Sequence, residues 1–324
     1  RRDQAEDLLA FMVGDLRESL EPIGKLALLE RVGNKAMAYF ATGDPTDISN
    51  PGRANQVQVL TQIGSISQAE HQHEAGVDVF RQAFERSSIL TAKNPGDTDL
   101  LFARGQAEFW VGFAHWEQGD LENAAKWMVR YRDTGMSLLQ FDESNAEWQR
   151  EVGYGHHNIG AIELKRGNIR AATDAFEREL ALLTQLSASL DDDQLRADIA
   201  DCHSWLGNSL EFAGRPQQAL AYFRSSREAW ESLHRSAPEH AGYIQWYANA
   251  LVLEFNAHRQ VTGQREHYAP LERALEMRRR LTEIDSDNTS WLVDYHKLRV
   301  FKLEHVLAFG HEDGEVATAL TESL

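Results

Sequence analysis

The 324-residue chain has a single cysteine, Cys202, and lacks any apolar run of the roughly 18 residues that a membrane-spanning helix needs. One cysteine excludes an intrachain disulfide, which is compatible with both a reducing cytosol and the periplasm. No segment of useful length alternates apolar and polar residues with the period of a β-strand. HExxH, Walker, GxSxG and kinase catalytic motifs are also missing, so we expect no enzyme activity in this chain.

Basic side chains are scarce relative to acidic ones, with 33 Lys and Arg against 50 Asp and Glu and a net charge of −17. An acidic surface repels phosphate backbones and anionic lipids, so we expect no nucleic-acid partner. The densest basic segment, Arg278 to Arg280, lies on a predicted helix among acidic residues. We interpret it as a solvated helix face and not as a phosphate site.

Three series of residues recur along the chain at intervals of 47 or 48 residues. The first consists of glycines, namely Gly64, Gly112, Gly160 and Gly207. The second consists mainly of large apolar residues, namely Phe80, Met128, Phe176, Phe223 and Leu271. The third is again glycine, namely Gly119, Gly167, Gly214 and Gly310, two intervals after Gly214. Series that stay in phase over this length indicate an internal repeat.

The repeat predicts hairpins of two helices, each of roughly 20 residues. A glycine inside a helix costs about 1 kcal/mol relative to alanine, so the first series predicts a neighbour too close for a side chain. The second series supplies the large residue beside it, and Gly160→Leu is expected to cost at least about 1–3 kcal/mol by overpacking. The third series ends helices, Asp120 and Asn168 cap the next ones, and Pro216 suits a first turn.

Polar breaks between the hairpins predict the domain organisation. Residues 1–49 differ from the rest and are predicted to form an N-terminal helical hairpin that caps the array. Residues 50–324 are predicted to form about five and a half units, at 50–97, 98–145, 146–193, 194–240, 241–288 and, in part, 289–324. The predicted fold is therefore all-α, a right-handed α-solenoid of antiparallel helix pairs.

Three of these units carry a recognisable signature. Leu206-Gly207 is followed by Ala219 and Phe223, and Ile159-Gly160 is followed by Ala172 and Phe176 at the same spacing. Val111-Gly112 with Ala124 and Met128 is a third copy. The pattern resembles the tetratricopeptide repeat (TPR), with a period longer than the usual 34 residues and without the tyrosine of the first helix. The resemblance implies a TPR-like superhelix that binds a protein or peptide on its concave face.

The segment from Ala5 to Arg17, continuing through Leu20 to Gly24, resembles a region of bacterial membrane-anchored signalling proteins. In those proteins it follows a transmembrane helix, and the N-terminal half is a Ser/Thr kinase, a Toll/interleukin-receptor domain or a DNA-binding domain. The chain opens Arg1-Arg2-Asp3 without an initiator methionine. The resemblance implies the soluble part of an inner-membrane protein on the extracytoplasmic (periplasmic) side, with the cytoplasm as the alternative.

Three clusters have residue types typical of metal or phosphate sites, but the sequence does not favour such a site at any of them. His71 and His73 point about 200° apart on a helix, so they are a poor pair of ligands. His156 and His203 each precede a series glycine by four residues, which favours packed histidines, with a metal site or a pH-sensitive contact as the alternative. The glycines from Gly153 to Gly160 lack the strand that precedes a phosphate-binding loop. We predict no metal and no cofactor.

Since no catalytic, metal or cofactor site is predicted, the sequence favours the binding of a partner. The first helices of a helix-pair solenoid line its concave face. Carrying the groove positions of the family over by register gives Gln106, Phe109, Phe113, Trp116, Tyr154, His157, Asp201, Ser204, Asn208, Asn249, Asn256 and Arg259. Amides can pair with a peptide backbone while rings bury side chains. The alternative for Phe109, Phe113 and Trp116 is that they pack on neighbouring helices.

These observations favour a non-catalytic interaction or sensor module of a bacterial signalling protein, with a protein or peptide partner. The alternative hypothesis is a self-association platform that dimerises a missing effector domain. An apolar face formed by Val300, Leu303, Val306 and Leu307 would promote such a homodimer. Small-molecule sensing in the groove is a third, weaker interpretation.

Overall fold

The computed structural model describes residues 73–263, 268–286 and 288–309, with side chains described from residue 77 to residue 306. Within these ranges every regular element is an α-helix, which confirms the all-α prediction. Residues 1–72 lie outside the described part, and so do Gly64, the predicted cap and the segment that resembles signalling proteins. The boundary between residues 1–49 and 50–324 therefore stays a prediction.

The chain divides after Asn168 into two compact units. Unit one contains four described helices, each of which packs on the next. They are α1 (His73–Lys93), α2 (Thr98–Glu117), α3 (Leu121–Leu138) and α4 (Ala146–Lys165). Connections as short as these make consecutive helices antiparallel neighbours.

Unit two begins at Ile169 and contains six described helices. They are α5 (Ile169–Leu186), α6 (Asp193–Phe212), α7 (Pro216–Ser236), α8 (Ala241–Thr262), α9 (Ala269–Ile284) and α10 (Thr289–Phe309). Consecutive helices again pack on each other, and α6 also contacts α8. By the predicted register α2, α4, α6, α8 and α10 are first helices of hairpins.

Glycines of the third series end helices as predicted at Gly119, Gly167 and Gly214, while Gly310 lies outside the described residues. Gly119 has φ +77°, a left-handed conformation that glycine adopts without steric cost. Its N–H donates to Trp116 O at 2.9 Å, and the N–H of Asp120 donates to His115 O at 2.9 Å. This pair of bonds is the Schellman motif, and Gly214 closes α6 in the same way. Gly263 ends α8 at φ +70°. It was not predicted because it follows Gly214 by 49 residues, one more than the longest interval of the series.

The polar breaks have a role that the sequence analysis missed, because each supplies the N-cap of the next first helix. In every case the side chain accepts a hydrogen bond from the backbone N–H three residues on, at 2.7 to 3.3 Å. The caps are Asp97, Asn145, Asp192, His240 and Asn288. Their spacing of 47 or 48 residues makes them a fourth series, and each satisfies a backbone donor that would otherwise lack a partner.

The predicted pairing of a helix glycine with a large residue is confirmed at two places. A Cβ added to Gly207 would lie 2.5 Å from Cε1 of Phe223, which is 1% exposed. A Cβ added to Gly112 would lie 3.0 Å from Cε of Met128. Gly160 belongs to unit one and Phe176 to unit two, so the prediction for Gly160 stays untested.

Glycine also sets the crossing of α3 and α4 in unit one. A Cβ on Gly155 of α4 would lie 2.6 Å from Cβ and 2.9 Å from Cα of Arg132 on α3. A Cβ on Gly135 of α3 would lie 3.0 Å from Cγ2 of Val152 on α4. Close helix packing therefore explains Gly155. This agrees with the prediction that the glycines from Gly153 to Gly160 do not form a phosphate-binding loop.

Candidate partner-binding surfaces

Unit one carries six of the predicted binding residues. Gln106, Phe109, Phe113 and Trp116 lie on α2, and Tyr154 and His157 lie on α4. All six are half-buried. Each therefore presents part of its side chain to solvent.

The aromatic members of this set also pack on the core of unit one. The ring centroid of Phe109 lies 6.1 Å from that of Phe113 and 5.5 Å from that of Tyr131 on α3. Phe113, Trp116 and Tyr154 contact a cluster of buried residues that includes Met128. The packing alternative thus describes one side of these rings, and Lys165 Nζ lies 4.6 Å from the centroid of the Trp116 ring. Each ring keeps only part of its surface exposed.

The amide of Gln106 takes part in a polar contact among three helices. Gln106 Nε2 donates to Glu151 Oε2 of α4 at 2.7 Å, and the Tyr131 hydroxyl of α3 donates to the same oxygen. Burial raises the pKa of Glu151, and burial together with the charge of Glu151 raises the pKa of Tyr131 well above its ordinary value. Gln106 therefore joins two successive first helices before any partner binds.

A second carboxylate of α2, Glu108, is fully buried. Thr134 Oγ1 donates to its Oε2 at 2.6 Å, and Arg104 Nε donates to its Oε1 at 3.0 Å. Burial raises the pKa of Glu108, and the bonds from Thr134 and Arg104 offset only part of that effect. A buried carboxylate held in this way positions α2 against α3.

The raised pKa of Glu108 predicts how its contribution to stability depends on pH. The folded protein holds this proton at pH values where the unfolded chain has lost it. The stabilisation from Glu108 therefore declines as pH rises above 4.5, the ordinary pKa of this carboxyl group. Chemical denaturation of the wild type and of Glu108→Gln between about pH 4.5 and 7 checks this. The free energy of unfolding of the wild type minus that of the variant should decrease as pH rises.

Glu122 of α3 is the matched control. Its hydrogen bond from Lys126 Nζ, at 2.7 Å, lowers the pKa of this exposed carboxylate. Its contribution is therefore present above the ordinary pKa of 4.5 and is lost only below it, so the difference for Glu122→Gln should stay nearly constant over the same pH range. A difference for Glu108→Gln that is constant or grows with pH would contradict the argument.

Unit two carries the other six predicted residues. Asp201, Ser204 and Asn208 lie on α6, and Asn249, Asn256 and Arg259 lie on α8. All are half-buried. The hydroxyl of Ser204 shares a 2.7 Å hydrogen bond with the hydroxyl of Ser226 on α7, so it too has a partner within the chain.

Asn249 belongs to a three-helix contact like that of Gln106. Arg278 of α9 donates to Asn249 Oδ1, and Arg278 NH1 lies 2.7 Å from Asp294 Oδ2 of α10. Asn249 follows Gln106 by 143 residues, and Asp294 follows Glu151 by 143 residues, which is three repeats. We call each such contact a first-helix junction: an amide on one first helix, a carboxylate on the next, and a donor to that carboxylate from the intervening second helix. Tyr131 donates only to the carboxylate, whereas Arg278 also donates to the amide.

The basic segment from Arg278 to Arg280 is paired with carboxylates, as the sequence analysis expected. Arg279 pairs with Glu283 and Arg280 pairs with Glu239, in addition to the Arg278–Asp294 pair. Two of these three carboxylates come from other helices or loops, so the segment holds α9 in place. The acidic neighbours are as expected, but only Arg279 is exposed, so the solvated face predicted for the whole segment is right for that residue alone.

The histidines and the cysteine are packed side chains. His156 is buried in unit one, and the ring of His203 in unit two lies 5.8 Å from the ring of Tyr222. Burial lowers the pKa of His203 and raises the pKa of the Cys202 thiol. Such a thiol is poorly reactive. His71 and the side chain of His73 lie outside the described residues.

The apolar face proposed for self-association is not present as predicted. Val306 is buried and Leu303 packs against the core of unit two. Val300 is 54% exposed, and the side chain of Leu307 lies outside the described part. The helical pattern was right, but Leu303 and Val306 pack against the core because α10 packs on α9, and only Val300 of the three described residues is exposed.

No helix in the described ranges combines the length and the apolar character that crossing a bilayer requires. No protein-family model matches the sequence, and no curated protein matches it either. The chain resembles solved structures in its fold. The crystal structure of BtubC (BKLC) from P. vanneervenii has a TM-score of 0.60 at 14% identity, over 80% of this chain and 91% of that one.

Two further structures have the same kind of fold. The apo form of RapI has a TM-score of 0.60 at 10% identity, over 97% of this chain and 94% of that one. A Podosopora anserina putative kinesin light chain with TPR-like repeats has a TM-score of 0.52 at 11% identity, over 72% of this chain and 98% of that one. The chain therefore has a TPR-like helical-repeat fold.

Proposed function

We propose that this chain is a non-catalytic interaction scaffold that binds a protein or peptide partner on the faces of its first helices. One observation carries the proposal. All twelve residues placed by register on those faces are half-buried, whereas the series residues Gly112, Gly207, Met128 and Phe223 are buried. The repeat thus separates residues that build the core from residues that keep part of their surface exposed.

The two units offer these faces with different chemistry. In unit one the surface of α2 is mainly aromatic, and burying such rings is a large source of interface energy. In unit two the amides of Asn208 and Asn256 extend from half-buried positions on α6 and α8. An amide offers both a donor and an acceptor, which suits the backbone of an extended peptide.

Capture of a partner with single variants tests the proposal. The full chain, immobilised, is used to isolate partners from its source cells, and the same experiment is repeated with Phe113→Ala and with Asn208→Ala. We expect at least one of these variants to lose the partner while keeping its thermal unfolding profile. Ser225→Ala, an exposed position on the second helix α7, is the matched control and should retain it. Unaltered capture by both face variants would place the site elsewhere.

The cellular setting belongs to the same proposal. The resemblance of Ala5 to Gly24 to bacterial membrane-anchored signalling proteins supports a scaffold that senses its partner on the extracytoplasmic side. A topology reporter fused after Leu324 of the full-length protein would test this. Activity of a periplasm-specific reporter supports that side, and activity of a cytoplasm-specific reporter contradicts it.

A further inference from the structure

Trp246 on α8 is unusual among the tryptophans of this protein. All eight lie in the described part of the chain, and Trp246 alone among them is exposed, at 44%. One face of its indole stacks on buried Trp230 of α7, with ring centroids 6.0 Å apart and planes inclined by 20°. We call Trp230 and Trp246 the indole platform.

The indole platform occupies the register of a first-helix junction. Trp246 precedes Asp294 by 48 residues and Trp230 precedes Arg278 by 48 residues, which is one repeat. Asp201 on α6 precedes Trp246 by 45 residues, the separation of the bonded pair Gln106 and Glu151. At the junction of α8, α9 and α10 the central group is the guanidinium of Arg278. One repeat earlier the indole of Trp230 stands in the register of Arg278.

The helix beside the platform has a net negative charge. The acidic residues of α6, which contacts α8, outnumber its one basic residue, Arg196, which pairs with Asp193; they are Asp193, Asp198, Asp201 and Glu211. The whole chain carries −17. An indole face in a negative field attracts a cation both through its quadrupole and through the field.

We propose that the indole platform binds an arginine side chain of the partner, with the guanidinium stacked on the outer face of Trp246. The inference rests on the proposed function and names the chemistry of its partner as a basic, arginine-containing peptide. Arginine fits better than lysine because its planar guanidinium stacks on an aromatic face and is more weakly hydrated.

Binding of three matched peptides to the full chain tests the inference. The probe is an acetylated and amidated peptide of alternating glycine with three arginines, and its counterparts carry lysine or citrulline in place of arginine. Titration calorimetry at physiological ionic strength should rank arginine above lysine, with citrulline the weakest. Trp246→Leu should weaken binding of the arginine peptide roughly three- to thirtyfold, and Trp246→Phe by less.

A control separates stacking from general attraction to an acidic protein. Phe212→Leu removes another exposed aromatic ring, 71% exposed at the end of α6, and should leave the affinity unchanged. Equal affinity of the wild type and Trp246→Leu, or equal affinity for the arginine and lysine peptides, would overturn the inference. If partner capture still depends on Phe113 or Asn208 in that case, the proposed function stands and only its arginine partner is wrong.

Discussion

Phe223→Ala is expected to lower the free energy of unfolding by about 3–5 kcal/mol. Phe223 lies in the middle of α7, is 1% exposed, and packs with Leu210 of α6 and Ala257 of α8. Its ring occupies the space that a side chain at position 207 would take. Truncation removes the buried ring and leaves a cavity that helices on both sides border. Urea denaturation followed by circular dichroism measures the loss.

Phe212→Ala is the matched control, because this phenylalanine is mostly exposed and its loss should change stability by less than about 0.5 kcal/mol. Coupling to Gly207 gives a second check. Gly207→Ala should destabilise the wild type, because its Cβ meets the Phe223 ring, and should be neutral or stabilising once Phe223 is alanine. A cost for Phe223→Ala as small as that for Phe212→Ala would contradict the role given to the large-residue series.

Gly155→Ala is expected to cost about 1–3 kcal/mol, although alanine is the better helix former by about 1 kcal/mol. The added Cβ would lie 2.9 Å from the Arg132 Cα, a backbone atom that cannot rotate away. Relief requires α3 and α4 to move apart, which would also disturb the contact of Gly135 with Val152. Thermal unfolding of the purified variant, followed by circular dichroism, checks the prediction.

Gly96→Ala is the control for Gly155→Ala. No atom lies within 4 Å of a Cβ added at Gly96, so this substitution should shift stability by no more than about 0.5 kcal/mol. If Gly155→Ala raised the unfolding temperature as a plain gain in helix propensity would, then α3 and α4 would not be in the tight contact described above.

The repeat and the ends of its helices could be predicted from sequence because both depend on local rules. A left-handed helix end requires glycine, as at Gly119, and a first turn accepts proline, as at Pro216. The pairing of Gly207 with Phe223 was predictable because both recur with the same interval. The N-cap series was missed although its interval is the same, since its members are of three residue types, such as Asp97, Asn145 and His240.

The chemistry of the binding faces was harder to predict. Gln106 and Asn249 were correctly placed on first helices, but nothing in the sequence indicates that they are bonded to groups 45 and 29 residues away. Such contacts depend on which side chains meet when the helices stack. The carboxylates Glu151 and Asp294 share one register, and that signal could have identified the junctions. The role of Trp246 was missed because this position shares the register of Asp294 but carries an indole in place of a carboxylate.

The central claim is that the partner contacts the first helices and not the second ones. The most direct measurement is site-specific photo-crosslinking in the source cells, with benzoylphenylalanine placed in the full-length protein at Asn208 of α6 or at Ser225 of α7. We expect a discrete heavier adduct from position 208 and none from position 225. An adduct from position 225 with none from position 208 would contradict it.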